Sequence, residues 1–224
     1  MLIKQTISAT ALRTLPIFQG LDPERLEEVA RYSTLRRVSR GTAVVQSGEK
    51  TDNVYFVLNG SLKVLVCDED GREVILTILG QGEVFGEMGM LDASPRSATV
   101  TAVAATDLVV IAHADFRQIM SNNFDVCLSI MCNMATRLRA ADRKIESLAL
   151  MDVYGRVARL LLDMAEPAEG GRSIVRKKIS KQDIARMIGA SREMVSRVMK
   201  DLQARGLLEE TPAGLVVIER AEDV

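Results

Sequence analysis

Two short segments of the sequence carry residues that suit the binding of a phosphate group. Gly86 lies at the predicted start of a short helix, where free backbone N–H groups can approach an anion closely. Arg96 can add a charge-assisted fork to the same phosphate, and the hydroxyl of Ser97 can donate another hydrogen bond. Glu87 makes sense beside a phosphate only if it accepts from a hydroxyl group, such as a ribose 2′-hydroxyl. The residues alone leave a second interpretation open, in which the glycine serves a turn and Arg96 pairs with Glu87.

A second group of polar residues lies at the start of a predicted helix in the C-terminal third: Ser191, Arg192, Glu193, Ser196 and Arg197. Arginine can donate two hydrogen bonds to guanine O6 and N7, and glutamate accepts from cytosine N4. Arg192 and Arg197 are five residues apart, so they can reach different base pairs. The alternative is a surface helix whose charges form chance salt bridges.

The helices predicted around these residues follow a helix-turn-helix plan. Ser180 to Asp183 is typical of a helix start, Gly189 ends that helix, and Ser191 can cap the next one. In such an arrangement the second helix enters the major groove of DNA. Lys181 and Gln182, at the start of the first helix, are placed together with Ser191 to hold phosphates.

The formal net charge of −1, taken as a total, argues against a nucleic-acid-binding protein, but the charge is unevenly distributed. Residues 174–205 contain nine basic and three acidic residues, a net charge of +6. The rest of the chain therefore carries −7. The total conceals a basic module attached to an acidic one.

Composition excludes several classes of protein. Three cysteines in 224 residues (Cys67, Cys127 and Cys132) do not make a disulfide framework, and the single histidine, His113, offers no zinc site with them. The sequence shows no nucleophile–base pair of the kind that would predict an enzyme, so we expect no catalytic residue. No apolar run is long enough to cross a membrane, and free thiols suit a reducing compartment. We expect a cytoplasmic protein that does not bind membranes.

The N-terminal half alternates short β-rich runs with turn signals, which indicates an antiparallel barrel or sandwich. Asp22 and Pro23 predict the start of a helix before these runs. Asn59-Gly60 is the strongest cue for a β-hairpin. The predicted strands are Leu35–Ser39, Thr42–Gln46, Val54–Leu58, Ser61–Cys67, Glu73–Leu79, Ser97–Ala102 and Asp107–Ala112.

After residue 112 the hydrophobic period changes to the heptad of a long helix. An apolar seam continues from Cys127 at alternating spacings of four and three residues, which favours a two-stranded coiled coil between two copies of the chain. The alternative is a helix packed on its own barrel, which usually shows a wider stripe. The predicted dimer contacts are Met131, Met134, Leu138, Ala141, Ile145 and Leu148.

A hinge is predicted near Met151-Asp152-Val153, which divides the chain into residues 1–150 and 151–224. A helix over Asp152–Ala165 follows the hinge. Two strands, Arg172–Ile179 and Leu215–Ile218, are predicted to pair on either side of the helix-turn-helix.

Three motifs give the sequence its resemblance to a known family. Gly86-Glu-Met-Gly89, Arg96-Ser97-Ala98 and the segment from Gly189 to Arg197 resemble the Crp/Fnr family of bacterial transcription regulators, and the resemblance extends from Leu15 to Val217. It implies an α+β fold: an antiparallel, jelly-roll-like β-roll that binds a cyclic nucleotide, a long dimerisation helix and a winged helix-turn-helix. It also implies a homodimer that binds palindromic double-stranded DNA and has RNA polymerase as a partner.

The resemblance also assigns roles to individual residues. Arg192, Glu193 and Arg197 would read TGTGA-like half-sites about one helical turn apart. No metal or other cofactor is implied beyond the cyclic nucleotide effector. The implied effector-binding residues, including one from the dimer helix, are Gly86, Glu87, Met88, Arg96, Ser97, Ala98 and Asp142.

One pair of residues departs from the family pattern. The members that bind cyclic AMP offer a Thr-Ser pair to the adenine, and this chain has Ala141 and Asp142 instead. A carboxylate accepts well from the adjacent N1–H and N2–H₂ donors of guanine, which favours cyclic GMP or cyclic di-GMP over cyclic AMP. Arg137 and Arg139 can help to bind a second phosphate. In the plainer alternative Asp142 only pairs with a neighbouring arginine on the helix surface.

Other modes of sensing in the family fit less well. No cysteine precedes Cys67, which excludes an N-terminal iron–sulfur cluster, and a single histidine disfavours a haem sensor. There are two alternatives to a cyclic-nucleotide-responsive regulator. One is a cyclic-nucleotide-binding regulatory subunit that acts on a protein partner, and the other is a ligand-independent member of the family.

Overall fold

The computed structural model describes residues 5–50, 52–168, 172–176, 179–212 and 214–217. These residues form two compact units, the first extending to Arg137 and the second beginning at Leu138. The boundary between the two units falls within one long helix, which contains both Arg137 and Leu138. The domain boundary predicted after residue 150 stays a prediction.

The first unit is built from β-strands, as the turn spacing predicts. Each of the seven predicted strands overlaps an observed one, with its ends shifted by up to two residues. Its strands are β1 (Gln5–Thr6), β2 (Ser33–Val38), β3 (Ala43–Val45), β4 (Asn53–Asn59), β5 (Leu62–Cys67), β6 (Glu73–Leu79), β7 (Val84–Phe85), β8 (Thr99–Ala102) and β9 (Thr106–Ala112). Its helices are α1 (Ala9–Leu12), a 3-10 turn (Pro16–Phe18), α2 (Pro23–Tyr32), α3 (Met88–Asp92), α4 (His113–Asn122) and the first half of α5 (Phe124–Leu150).

The strands form two antiparallel sheets with the orders β1-β2-β9-β4-β7 and β3-β8-β5-β6. Strand β4 is buried on both faces, which explains its continuous apolar run. Val54 and Phe56 belong to the apolar cluster that contains Phe116 of α4. Tyr55 and Val57 belong to the cluster between the sheets. The antiparallel β-roll is therefore confirmed.

The hairpin predicted at Asn59-Gly60 is wrong. Strand β4 pairs with β7 and β9, whereas β5 pairs with β6 and β8, so this turn carries the chain from one sheet to the other. Gly60 has a φ of 96°, and a Cβ there would lie 2.5 Å from Oγ1 of Thr106. The glycine is needed for this close crossing, and the sequence cue does not distinguish such a crossing from a hairpin turn.

Helices close the first unit at one side. Asp22 caps α2 by accepting from the backbone of Arg25, and Pro23 is the first helical residue, as predicted. Helix α4 follows β9 directly and buries Phe116 and Ile119. Helices α1 and α4 and the short strand β7 were not predicted.

The second unit contains the end of α5 and a small helical domain with an antiparallel sheet. Its helices are α6 (Val153–Met164), α7 (Lys181–Ile188) and α8 (Arg192–Ala204). Its strands are β10 (Glu166–Pro167), β11 (Ser173–Val175), β12 (Leu208–Thr211) and β13 (Gly214–Val217), in the order β10-β11-β13-β12. The predicted pairing of the strands on either side of the helix-turn-helix is confirmed for Ser173–Val175, while Lys177, Lys178 and Ile218 lie outside the described residues.

The helix-turn-helix forms where its caps predict it. Ser180 accepts from the backbone N–H of Asp183 at 3.0 Å, and Ser191 accepts from that of Met194 at 3.2 Å. Gly189 ends α7 in the left-handed region with a φ of 64°. The β12–β13 hairpin after α8 supplies the wing, so the predicted fold class is confirmed in both units. Among the helices in the described ranges, none has the length and apolarity to span a membrane.

Candidate functional site

Arg96 is fixed in the first unit beneath the turn that follows β7. Its Nη1 donates to the carbonyl of Gly86 at 2.8 Å and its Nη2 to that of Asn53 at 2.7 Å. Its guanidinium also lies 5.7 Å from the ring centroid of Tyr55, and only 7% of the residue is exposed. Gly86 has a φ of 82°, and a Cβ there would collide with the Arg96 guanidinium. Glycine is therefore required at position 86 both by its backbone conformation and by this contact.

Glu87 is a buried carboxylate next to this arginine. It is 1% exposed, and its Oε1 accepts from Nη1 of Arg137 at 2.5 Å. Arg137 also donates through Nη2 to the carbonyl of Val84 at 3.0 Å. The second carboxylate oxygen of Glu87, Oε2, is buried and has no hydrogen-bond partner among the described residues. A buried charged oxygen in this state is a strong acceptor for a donor that enters from outside.

An open cavity connects these groups. It contains about 440 Å³ of empty space, part of it solvent, and is lined on one side by apolar residues of the second sheet. Six of the seven predicted effector-binding residues line it: Gly86, Glu87, Met88, Arg96, Ser97 and Ala98. The seventh, Asp142, belongs to the second unit, where its side chain is exposed.

Arg137 also lines the cavity, and its pairing with Glu87 was not predicted. The sequence does contain a signal for it. Val126 and Ile130 are buried against the first unit, and residue 137 continues the same helical face, two turns further along α5. The backbone carbonyls that hold Arg96 have no comparable signal, since any residue type provides one.

The predicted dimer seam on α5 is largely exposed. The exposed fraction is 51% for Met131, 64% for Leu138 and 65% for Ile145. Ala141 and Leu148 are exposed as well. Met134 is half-buried, because it packs against the core of its own first unit. Five of the six predicted seam residues are therefore exposed, and Phe124, Leu128 and Leu150 are exposed on α5 outside the predicted heptad.

The first two turns of α8 carry polar residues that are exposed or half-buried. Arg192, Glu193 and Arg197 are exposed, while Ser196 is half-buried. Ser191 is exposed, although its hydroxyl oxygen is engaged as the helix cap. On the opposite side of α8, Val195, Met199 and Leu202 are buried in the core of the unit.

At the start of α7, Lys181 and Gln182 are exposed as well. The seven predicted DNA contacts therefore lie at the start of α7 and in the cap and first two turns of α8. Within the part of the second unit that is described, Arg192 and Arg197 make no ion pair, whereas Arg176 pairs with Glu166. Lys181 and Arg192 thus place exposed basic side chains at the two helix starts, and Arg197 adds a third in the second turn of α8.

A residue of α6 binds the end of α7, directly before the turn to α8. Nη1 of Arg156, on α6, donates to the carbonyl of Ile188 at 3.0 Å. This carbonyl is the last of α7, where a positive charge is favoured. Leu148, near the end of α5, lies 3.9 Å from the position of a Cβ on Gly189. The hydrogen bond from Arg156 thus fixes the last carbonyl of α7, directly before the turn to α8.

Two protein-family models match the chain. One describes a cyclic nucleotide-binding domain and matches residues 35–123, which include the cavity except for Arg137. The other describes a Crp-like helix-turn-helix domain and matches residues 155–222. Among the residues that the structure describes, no group of three or more histidine, cysteine, aspartate and glutamate side chains could hold a metal ion.

Similar proteins match this chain over most of their length. The cAMP-activated global transcriptional regulator Vfr of Pseudomonas aeruginosa is 34% identical over 203 residues, covering 87% of this chain and 94% of Vfr. The cAMP-activated global transcriptional regulator CRP of Pasteurella multocida is 35% identical over 204 residues, covering 88% of this chain and 96% of that protein.

Among solved structures, the c-di-GMP responsive global regulator CLP of Xanthomonas campestris has a TM-score of 0.74 and 29% identity, covering 89% of this chain and 100% of that one. A CooA variant from Carboxydothermus hydrogenoformans, at a TM-score of 0.75 and 20% identity, supports the fold alone. It covers 92% of this chain and 91% of its own. The chain therefore belongs to the Crp/Fnr family of cyclic-nucleotide-binding, DNA-binding transcription regulators.

Proposed function

We propose that this protein is a homodimer whose binding to double-stranded DNA is controlled by a cyclic nucleotide in the cavity of the first unit. In this proposal residues 1–150 bind the effector and form the dimer, and residues 151–224 bind DNA. The main observation in favour of the effector role is the buried Oε2 of Glu87, which has no partner among the described residues and lines the same cavity as the fixed guanidinium of Arg96. A phosphate ester of a ribose offers one group to each of these residues.

The proposed contacts follow from the donors and acceptors that remain. A guanidinium has five N–H donors, and the two contacts of Arg96 with backbone carbonyls leave further donors for phosphate oxygens. The hydroxyl of Ser97 and the backbone N–H groups after Gly86 add donors to the same phosphate. The ribose 2′-hydroxyl donates to Oε2 of Glu87, while Arg137 balances the carboxylate charge on the other oxygen. Met88 and Ala98 supply apolar contacts.

Two residues of α5, Ala141 and Asp142, are the basis for proposing the base of the effector. Vfr is described as cAMP-activated and CLP as c-di-GMP responsive, so similar proteins respond to both kinds of nucleotide. Ala141 has no hydroxyl to offer an adenine, and the exposed carboxylate of Asp142 matches the two adjacent donors of guanine. We therefore propose a guanine nucleotide, cyclic di-GMP or cyclic GMP, as the effector, with cyclic AMP as the alternative.

Isothermal titration calorimetry of the full chain, with cyclic AMP, cyclic GMP and cyclic di-GMP in separate titrations, tests the effector proposal. We expect binding of a guanine nucleotide, its loss in Arg96→Ala, and its retention in Arg143→Ala, which removes an exposed arginine of α5. Asp142→Ser should shift the preference towards cyclic AMP. Tight binding of cyclic AMP with weak binding of both guanine nucleotides would refute the role of Asp142. No binding of any of the three would favour a ligand-independent member of the family.

The dimer proposal is supported by the exposed heptad of α5. Large apolar side chains that remain 51–65% exposed along one helical stripe are usual at protein interfaces. A second copy of α5 would cover Met131, Leu138 and Ile145 in a parallel coiled coil. Met134, Ala141 and Leu148 complete the proposed seam.

We propose that α8 reads the DNA sequence and that the start of α7 binds phosphates. In this proposal Arg192, Glu193 and Arg197 contact base edges of a TGTGA-like half-site, while Lys181 and Gln182 contact the backbone. Ser191 and Ser196 add polar contacts beside them. Two such helices in a two-fold dimer would read palindromic half-sites about one helical turn apart.

Selection of binding sites from a random DNA pool tests this interface. Arg192→Ala or Arg197→Ala should cost roughly 1–3 kcal/mol and relax the preference at one base pair of each half-site. Lys181→Ala should weaken binding to all sequences equally and reduce the salt dependence, because it contacts phosphate. A uniform loss for the arginine variants would contradict direct readout.

The effector and DNA sites must be coupled for regulation. We propose that effector binding shifts α5 and changes the path of the chain at Met151–Val153, which alters how the two copies of α8 are presented. Linkage requires that DNA then raises the effector affinity by the same factor by which the effector raises DNA affinity. Titration of the effector with and without the selected duplex measures both factors.

Further partners follow from the proposed activity. Relatives described as global transcriptional regulators make RNA polymerase a proposed partner, and a protein that binds the bacterial chromosome would act in the cytoplasm. We propose no enzymatic activity. The second class of function, a regulatory subunit acting on a protein partner, would have no use for the exposed Arg192 and Arg197, and a failure of DNA selection would favour it.

A further inference from the structure

Met194 stands apart from the other residues in the first turn of α8. Its neighbours Arg192 and Glu193 are charged, yet Met194 is an apolar residue with 42% of its surface exposed. Its backbone N–H is held by the cap residue Ser191 at 3.2 Å, so its place at the helix start is fixed. An exposed methionine at this position contributes little to the core of the unit.

The helical geometry explains why Met194 does not join the core. The buried face of α8 is centred on Val195, Met199 and Leu202. Met194 is turned about 100° away from Val195, since consecutive residues of an α-helix are separated by about that angle. It lies three residues before Arg197, which makes the two side chains neighbours on the exposed surface.

We propose that Met194 is a specificity-determining residue that contacts the 5-methyl group of a thymine in each half-site. This inference rests on the proposed function, in which α8 enters the major groove. The thymine methyl is the apolar group that base edges present in that groove, and apolar side chains recognise it. Methionine suits this contact because its unbranched thioether adapts to the local shape. Arg192, Glu193 and Arg197 select guanine and cytosine, and Met194 adds a preference for thymine.

Substitution of deoxyuridine for thymidine tests the contact, because it removes only the methyl group. The full chain is first used to select a duplex from a random pool, in three separate selections with cyclic AMP, cyclic GMP or cyclic di-GMP. Each thymine of the selected half-site is then replaced by uracil, symmetrically in both half-sites. Affinities are measured by fluorescence anisotropy for the wild-type protein and for Met194→Ala, Met194→Leu and the control Gln203→Ala. The control alters an exposed residue nearer the end of α8.

We expect one uracil position to weaken wild-type binding by about fourfold per half-site, the loss that burial of one methyl group predicts. The same substitution should have no effect on Met194→Ala, should keep most of its effect on Met194→Leu, and should keep all of it on Gln203→Ala. Thermal unfolding should be the same for the four proteins, because the position is exposed and alanine is a good helix former.

The opposite results are equally clear. If every uracil substitution weakens wild type and Met194→Ala to the same extent, or none weakens either, Met194 does not read the methyl group and the inference is wrong. A failure of the proposed function gives a different result, because Arg192→Ala and Arg197→Ala would then leave the selected sequence unchanged. If these two arginine variants relax the sequence preference while no uracil effect depends on Met194, only the inference about Met194 fails.

Discussion

Replacement of Arg137 by methionine should leave the carboxylate of Glu87 unpaired inside the first unit. Nη1 of Arg137 is the partner of Oε1 of Glu87 at 2.5 Å, and Oε2 has no partner among the described residues. Glu87 is 1% exposed, so little water reaches its carboxylate in the folded protein. Methionine keeps an unbranched apolar stem of similar length and removes the charge and the donors.

The expected cost follows from the burial of the two partners. Removal of one member of a buried ion pair costs about 3–5 kcal/mol in unfolding free energy. The side chain of Arg137 is 31% exposed, and solvent can reach part of the space that it leaves. We therefore expect the lower end, about 3 kcal/mol. In a chain of this size each kcal/mol lowers the melting temperature by about 2–4 °C, which gives a decrease of about 6–12 °C.

Thermal unfolding by circular dichroism, at one fixed protein concentration, measures this decrease. The double variant Glu87→Gln with Arg137→Met removes the charge as well and should recover at least half of the loss. Arg143→Met removes an exposed arginine of the same helix and should change stability by no more than about 0.5 kcal/mol. The reasoning is refuted if Arg137→Met unfolds at the wild-type temperature, or if the double variant is no more stable than Arg137→Met alone.

Three further predictions concern other parts of the chain. Ile145→Glu, which places a charge in the proposed seam, should convert the dimer to a monomer in sedimentation velocity, whereas a dimer of unchanged stability would place the interface elsewhere. Gly60→Ala should destabilise the protein by about 2 kcal/mol or more in urea unfolding, because a φ of 96° and the contact with Thr106 both exclude a Cβ. The free-energy cost of Arg156→Met should be larger for DNA binding than for unfolding, because the Ile188 carbonyl before α8 loses its donor. The DNA affinity of Arg156→Lys should lie between those of wild type and Arg156→Met. Equal DNA affinity in wild type and Arg156→Met would contradict that role.

The helix-turn-helix could be predicted from the sequence because its signals are local. Ser180, Gly189 and Ser191 each act within four residues of their own position, through a cap or a left-handed backbone conformation. The heptad of α5 is equally local, and all of its predicted residues lie on a continuous helix. Such rules hold wherever the rest of the chain places the element.

The structure of the cavity depends on contacts between distant residues, and these could be predicted only in part. Arg96 is fixed by carbonyls at positions 86 and 53, which any residue type could supply. The pairing of Arg137 with Glu87 joins residues that are 50 positions apart. The hairpin predicted at Asn59-Gly60 is wrong for the same reason. The pairing of the neighbouring strands, and not the turn residues, decides whether such a turn closes a hairpin or joins two sheets.

The position of Arg192 supports a role in DNA binding more strongly than the basic excess of the segment does. Arg176 and Arg205 are paired with Glu166 and Asp201, so part of the positive charge serves the fold. Arg192, in contrast, is the first residue of α8, where the partial positive charge of the helix end disfavours a cation by about 0.3–1 kcal/mol. It makes no ion pair with any residue in the described part of the second unit. A cation that the isolated fold does not favour at this position is explained by an electron-rich partner outside the chain, and the O6 and N7 acceptors of guanine fit that requirement.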